Sequence, residues 1–215
     1  MRQVLGNATV ELAAAEFAAL RDRHAGLLLD LGAGDGKHAL AVARARPDVL
    51  VVALDASPDG LRRAAARGAA KPARGGVPNA VFVWAAVEQL PPELAGVDEV
   101  HCLMPWGSLL RALAGPDPAV LRSLASACAP GAGLLITLNL HAWRPPVPEV
   151  GDAPEPTPET ALATLGPAYA QAGWALTGAD RPGAAELAAL GTSWTKRLGS
   201  SRAELAVLAL RGRLA

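Results

Sequence analysis

Residues 27–36 read Leu-Leu-Leu-Asp-Leu-Gly-Ala-Gly-Asp-Gly, and they are the strongest indication of the fold. A short apolar run of this kind is typical of a buried strand, and the glycines at positions 32, 34 and 36 allow a tight turn and a close approach to a ligand. A helical pattern follows over residues 37–46, and a second apolar run ends at Asp55. A strand, a glycine turn, a helix and a second strand that ends in a carboxylate predict a nucleotide-cofactor site at the edge of a parallel sheet.

The rest of the chain continues this alternation of strands and helices. Besides residues 27–31 and 49–54, we expect strands over residues 80–85, 99–103, 134–138, 174–177 and 204–210. We expect further helices over residues 57–70, 119–128, 159–172 and 184–190. Continuous apolar strands indicate a parallel sheet that is covered on both faces. The pattern therefore predicts an α/β, Rossmann-like fold with a mostly parallel, seven-stranded sheet, an N-terminal extension and embellished loops.

The length of 215 residues predicts a single domain over residues 1–215. We divide it into an N-terminal extension (1–26, with a helix over about 13–23), a cofactor-binding core (27–142), a proline-rich connector (143–158) and a C-terminal part (159–215). No apolar run is long enough to cross a bilayer, and no secretory apolar segment follows the N-terminus. We expect a cytoplasmic monomer that does not bind membranes and whose two cysteines, Cys102 and Cys128, are reduced packing residues.

Lys and Arg are concentrated in two segments, although the formal net charge is zero. Residues 61–76 contain no acidic residue and five basic ones, namely Arg62, Arg63, Arg67, Lys71 and Arg74. The second segment, residues 191–215, contains Lys196, Arg197, Arg202, Arg211 and Arg213 against Glu204 alone. A neutral protein is not the usual footprint of a nucleic-acid binder, but a segregated charge still allows a basic face. The alternative is that these segments are solvated helix faces.

Two kinds of cofactor fit the glycine turn, and the acidic residues near it discriminate between them. Dinucleotides place a pyrophosphate at the start of the helix, where the carboxylate of Asp35 would repel it. S-adenosyl-L-methionine (SAM) carries no phosphate, and its positive charges suit Asp30 and Asp35. Glu88, just after the strand over residues 80–85, lies where the adenine end of such a ligand would be. The residues therefore favour a methyltransferase that yields S-adenosyl-L-homocysteine. A nicotinamide-dependent oxidoreductase, or acids that only cap the turn, remain the alternatives.

Residues 103–108 read Leu-Met-Pro-Trp-Gly-Ser and follow a strand, so they face the methyl donor. They form a stiff platform with a flat ring, Trp106. Methyltransferases that act on the nitrogens of bases often begin the corresponding segment with Asp or Asn, but Leu103 and Met104 offer no such polar side chain to an exocyclic amine. A second tryptophan, Trp194, lies in the polar and basic loop of residues 191–202. Two aromatic rings on facing loops could clamp a base drawn out of its stack, with Arg197 and Arg202 on the phosphates. Ordinary packing is the alternative, and it is the role that we assign to Trp84, Trp143 and Trp174.

At these residues the chain resembles the Kam/Npm-type aminoglycoside-resistance 16S rRNA (adenine(1408)-N(1))-methyltransferases. The resemblance covers almost the full length and is most specific over residues 30–38, 103–110, 139–149 and 192–198. It implies a class I SAM-dependent methyltransferase fold and methyl transfer to N1 of adenosine-1408, in the 16S rRNA decoding site of the assembled 30S ribosomal subunit. A methyltransferase for transfer RNA or a small molecule, and a non-catalytic ribosome-binding module, are the rival interpretations of the same residues.

The resemblance also implies roles for individual residues. Trp106 and Trp194 correspond to the catalytic pair that holds the flipped adenine. The expected cofactor contacts are Asp30, Gly32, Gly34, Asp55, Val87, Glu88, Leu103, Met104, Pro105, Ser108, Thr192 and Ser193. The expected RNA contacts are Lys71, Arg74, Lys196, Arg197 and Arg202. Val87 is bulkier than the alanine expected at its position. No metal site is expected, because the four histidines (His24, His38, His101 and His141) are scattered in sequence and lack ligand spacing.

Overall fold

The computed structural model describes residues 1–144, 149–192 and 206–215. The strands within these ranges are β1 (Arg2–Leu5), β2 (Ala8–Glu11), β3 (Gly26–Leu31), β4 (Val49–Asp55), β5 (Ala80–Trp84), β6 (Val97–Leu103), β7 (Cys128–Asn139), β8 (Trp174–Asp180) and β9 (Val207–Leu214). The α-helices within them are α1 (Ala14–Arg21), α2 (Lys37–Ala45), α3 (Pro58–Gly68), α4 (Gly107–Ala114), α5 (Pro118–Ala127), α6 (Ala161–Gln171) and α7 (Ala184–Ala189).

All strands of the described ranges join one sheet in the order β2-β1-β5-β4-β3-β6-β7-β9-β8. Its central five strands, from β5 to β7, run parallel. The strands at both ends, β1 and β2 on one side and β9 and β8 on the other, pair antiparallel. The α/β, Rossmann-like class is thus confirmed. The expectation of seven strands in a mostly parallel sheet is wrong in detail, since the sheet has nine described strands and is mixed.

The two unpredicted strands, β1 and β2, form a hairpin at the N-terminus. Their sequence gives little signal because every residue of β2 is exposed and only Val4 of β1 is buried. An edge hairpin of this kind has no apolar face of its own for a pattern to reveal. Helix α4 was also absent from the expected elements.

The alternation along β3 explains how a carboxylate reaches the interior. Leu27, Leu29 and Leu31 pack into the apolar cluster on one face of the sheet, and Leu28 packs into the cluster on the other. Because side chains alternate along a strand, Asp30 shares the face of Leu28, towards α2. It lies at the carboxyl end of β3 and is only 2% exposed.

The tryptophans and cysteines outside the expected substrate loops have packing roles, as predicted. Trp174 is fully buried, and its indole N–H donates to the Leu121 carbonyl at 3.1 Å. Trp84 and Trp143 are half-buried against the two apolar clusters. Cys102 and Cys128 are free thiols. Among the helices that the structure describes, none is long and apolar enough to span a bilayer.

Candidate functional site

A cavity of about 520 Å³ opens at the carboxyl ends of β3, β4 and β6. It is the place where open α/β sheets bind their ligands. The predicted cofactor residues that line it are Asp30, Gly32, Gly34, Asp55, Val87, Glu88, Leu103, Met104, Pro105, Ser108 and Thr192. Ser193 lies outside the described residues. The structure therefore brings these residues, which are distant in sequence, to one cavity.

The glycine turn needs its glycines for backbone reasons. Gly32 and Gly34 have φ angles of +68° and +56°, in the left-handed region that favours glycine. The start of α3 also crosses close to the turn, since a Cβ on Gly60 would lie 2.4 Å from the Gly34 carbonyl oxygen. Sequence reasoning missed Gly60, because nothing local marks a glycine whose partner lies in another element. Gly60 lets α3 approach the glycine turn that lines the cavity.

Asp55 is held at the end of β4 by two backbone amides. Gly34 N–H donates to its Oδ2 and Ser57 N–H donates to its Oδ1, both at 2.8 Å. Each carboxylate oxygen can accept more than one hydrogen bond, so the anchored group still has acceptor capacity for a ligand in the cavity. An anchored acceptor at this strand end suits the hydroxyls of a ribose.

Asp30 is a buried carboxyl group in the cavity with an unusual electrostatic environment. Its Oδ2 is buried and has no hydrogen-bond partner among the described residues. Burial raises the pKa of its carboxyl group to about 7, and the nearby Asp55 and Asp35 act in the same direction. A hydrogen bond from the Ala39 backbone amide opposes this shift. A buried carboxylate oxygen without a partner is costly, and a ligand that supplies a cationic donor removes that cost.

Asp35 also lines the cavity, but it forms an ion pair with Lys37 across 2.7 Å. By itself, the carboxylate of Asp35 would be a negative charge that repels a pyrophosphate. The ion pair weakens that repulsion, so the electrostatic preference for a cationic ligand depends chiefly on Asp30.

The platform that carries Trp106 begins with a strained residue. Met104 has φ +52°, which is rare for a residue other than glycine. Its backbone N–H donates to both the carbonyl and the hydroxyl of Thr137, at 2.9 and 3.1 Å. This turn directs Pro105 and Trp106 to the cavity, where Trp106 remains 45% exposed. Strain maintained by buried hydrogen bonds is typical of functional loops.

The predicted RNA contacts are only partly described. Lys71 and Arg74 are exposed at a short 3-10 helix, Pro72–Arg74, and neither lines the cavity. Arg44 of α2 donates to the Gly75 carbonyl at 3.3 Å and so ties this loop to the core. Trp194, Lys196, Arg197 and Arg202 lie outside the described residues.

The histidines are less scattered than their sequence positions suggested. His38 of α2 and His101 of β6 face each other, with Nε2 of His38 2.9 Å from Nδ1 of His101. Burial lowers the pKa of both rings, that of His101 to about 4. In the part of the chain that the structure describes, no group of three or more His, Cys, Asp or Glu side chains could hold a metal ion.

Comparison with known proteins identifies the family. The family model for NpmA, a 16S rRNA (adenine(1408)-N(1))-methyltransferase, matches residues 2–213. The chain belongs to this family. A family member of the same description from Streptoalloteichus hindustanus is 56% identical over 214 residues, which cover 100% of this chain and 99% of that protein.

Solved structures of the family agree with the fold. The crystal structure of the 16S rRNA methyltransferase KamB superposes with a TM-score of 0.95 at 52% identity and covers 100% of both chains. A mutant of the 16S rRNA (adenine(1408)-N(1))-methyltransferase from Catenulisporales acidiphilia, solved with cosubstrate SAM, has a TM-score of 0.90 at 38% identity. That match covers 100% of this chain and 97% of the other. The class I methyltransferase fold and the use of SAM as the cofactor of this family are thereby confirmed.

Proposed function

We propose that this chain transfers a methyl group from SAM to N1 of adenine 1408 in 16S rRNA and so confers resistance to aminoglycosides. Its family membership supports this activity. The observation of the structure that carries the proposal is the buried Oδ2 of Asp30, which lies in the cavity at the strand ends without a partner among the described residues. Such a group fits the cationic amino end of SAM.

We assign each part of SAM to different residues of the cavity. Asp30 accepts from the ligand's ammonium group, and Asp55, already anchored by two amides, accepts from the ribose hydroxyls. Val87 and Glu88 line the cavity just after β5, and we assign this part of it to the adenine. When bound, SAM supplies an electrophilic methyl group on its sulfonium.

The chemistry places few demands on the protein. N1 of adenine has a free lone pair at neutral pH, so no general base is required to generate the nucleophile. The platform residues beside the cavity, Leu103 and Met104, are apolar and offer no side-chain acceptor to the exocyclic amine. Catalysis then consists mostly of holding the base in line with the methyl group.

We assign the holding of the flipped base to Trp106 and Trp194. Trp106 supports this role because it is a large, exposed ring at the mouth of the cavity. An aromatic face also favours the cationic ring of the product. For Trp194 the support is its place in the sequence, in a polar and basic stretch that follows Thr192.

We assign the RNA phosphates to the basic residues Lys71, Arg74, Lys196, Arg197 and Arg202. Lys71 and Arg74 support this because both are exposed on one short loop. The substrate is the assembled 30S subunit, so the enzyme would act in the cytoplasm, and we propose that it does so as a monomer.

Substitution of the exposed platform ring tests the proposal. Trp106→Ala should lower the rate of 30S methylation by roughly 5- to 150-fold, the loss of about 1–3 kcal/mol of base stacking. Its Kd for SAM should stay unchanged, and Trp106→Phe should retain most of the activity. Full methylation by Trp106→Ala, or loss of SAM binding in that variant, would contradict the assigned role.

A further inference from the structure

A partly buried hydrogen bond joins α2 to the segment of residues 190–192, which reaches the cavity at Thr192. Nδ1 of His38, in α2, lies 2.6 Å from the carbonyl oxygen of Leu190, which caps α7. The two residues are 152 positions apart in sequence, so the contact is purely tertiary. Thr192, two residues beyond Leu190, is buried and lines the cavity. The hydrogen bond therefore fixes the chain two residues before it reaches the cavity wall.

The hydrogen-bond pattern fixes the protons of the histidine pair. A carbonyl can only accept, so Nδ1 of His38 carries a proton and, in the neutral ring, its Nε2 accepts. His101 must then donate from Nδ1 to Nε2 of His38, across 2.9 Å. Burial lowers the pKa of both rings, which favours their neutral forms, and the pattern itself requires a neutral His38 ring. One defined tautomer of each ring therefore holds the Leu190 carbonyl.

The chain just before this segment also packs against Met104, at the turn that carries Trp106. Leu187 of α7 is buried in a small apolar cluster with Met104 and Val207, and Leu190 packs against it. Gly191 has φ +67°, and a Cβ added there would lie 3.4 Å from the Cβ of Ala41 in α2. The segment is thus fitted between α2 and the strained turn that carries Trp106.

We propose that His38 is a positioning residue for SAM binding: it holds residues 190–192 against α2 and so places Thr192 beside the cofactor. The proposal rests on the proposed function only in that the cavity binds SAM. His38 contacts the Leu190 carbonyl on one side and, on the other, His101 of the core strand β6. Residues 190–192 are therefore attached to a fixed point on α2. Without His38, the segment would lose its hydrogen bond to α2, and Thr192 would be held less firmly at the wall of the cavity.

The test removes the Nδ1–H donor of His38 and keeps an aromatic ring at this position. His38→Phe should raise the Kd for SAM about tenfold, the loss expected for one buried hydrogen bond with a carbonyl left unpaired. His38→Asn should restore much of the affinity, because its amide nitrogen can occupy the position of Nδ1. His38 itself lines the cavity, so the double variant with Gly191→Ala is what separates positioning from a direct contact with SAM. His24→Phe is the control for losing a histidine–carbonyl contact elsewhere, since Nδ1 of His24 lies 2.8 Å from the carbonyl of Leu20 and His24 does not line the cavity.

A second variant moves the same segment without touching the histidines. Gly191→Ala should also raise the Kd, and the double variant with His38→Phe should cost no more than the larger single effect. An unchanged Kd in His38→Phe, or equal losses in the Phe and Asn variants, would overturn the proposal. If His38→Phe does not fold, an unchanged Kd in Gly191→Ala overturns it. Calorimetry with SAM alone measures all of these, so a failure of the rRNA substrate assignment is seen separately, in the 30S assay.

Discussion

Replacing Asp30 by asparagine should stabilise the ligand-free protein and lower its affinity for SAM. The carboxyl group is buried, and its pKa rises from the ordinary 3.8 to about 7. The folded protein therefore binds this proton more tightly than the unfolded chain does. The free energy of unfolding falls as the pH rises from about 4 to about 7, and it levels off above that range. An asparagine at this position would have nearly the same shape and no charge to bury.

The size of the effect follows from the shift. One pKa unit corresponds to about 1.4 kcal/mol, so burying the Asp30 carboxyl group costs the ligand-free fold about 4 kcal/mol near pH 8, where the group is ionised. Near pH 5, where the fold keeps the group protonated, the cost is less than half of that. The stability advantage of Asp30→Asn should thus grow by about 3 kcal/mol between these two pH values. Urea unfolding without cofactor measures it at both. Asp152→Asn, in an exposed loop, is the control and should leave the pH dependence unchanged.

Cofactor binding should change in the opposite direction. The variant loses a charged acceptor for the ligand's ammonium group, an interaction of about 1.5–3 kcal/mol, so the Kd for SAM should rise roughly 10- to 150-fold. The reasoning would be refuted if Asp30→Asn were less stable than the wild type at alkaline pH, or if it bound SAM with unchanged affinity.

Three further predictions concern the same site. The affinity of the wild type for SAM should fall by up to about tenfold per pH unit below pH 7, because binding releases the Asp30 proton. Calorimetry in two buffers would detect the released proton, and an affinity that does not change with pH would contradict this prediction. Gly60→Ala should lose about 1–3 kcal/mol of stability through its clash with Gly34, whereas Gly166→Ala, in open space within α6, should not destabilise. Arg197→Glu should weaken 30S binding and flatten its salt dependence, as filter binding would measure.

The cofactor half of the site was predictable from sequence because its signals are local. Buried parallel strands appear as apolar runs, and the turn between β3 and α2 needs glycines whatever the rest of the chain does. Asp55 follows directly, since a strand end is visible in the sequence. The edge hairpin was missed for the opposite reason, as exposed strands such as β2 carry no apolar period.

Tertiary contacts account for what could not be predicted from sequence. Nothing near His38 indicates that it meets His101, 63 residues later, or the carbonyl of Leu190. The ion pair between Asp35 and Lys37 lies close in sequence but was overlooked, and it leaves Asp30 as the main source of the preference for a cationic ligand. The role of Trp194 stays a prediction from its position in the chain and from the family resemblance.

Methylation of intact 30S subunits examines cofactor, substrate and target nucleotide together. Purified subunits, whose decoding site lacks the modification, are incubated with the protein and radiolabelled SAM, and the 16S rRNA is then read by reverse transcription. N1 methylation blocks base pairing, so we predict label in the rRNA and a strong stop at adenine 1408, the position named for the family. SAM binding without label on the subunits, or label with a stop at another nucleotide, would contradict the proposed function.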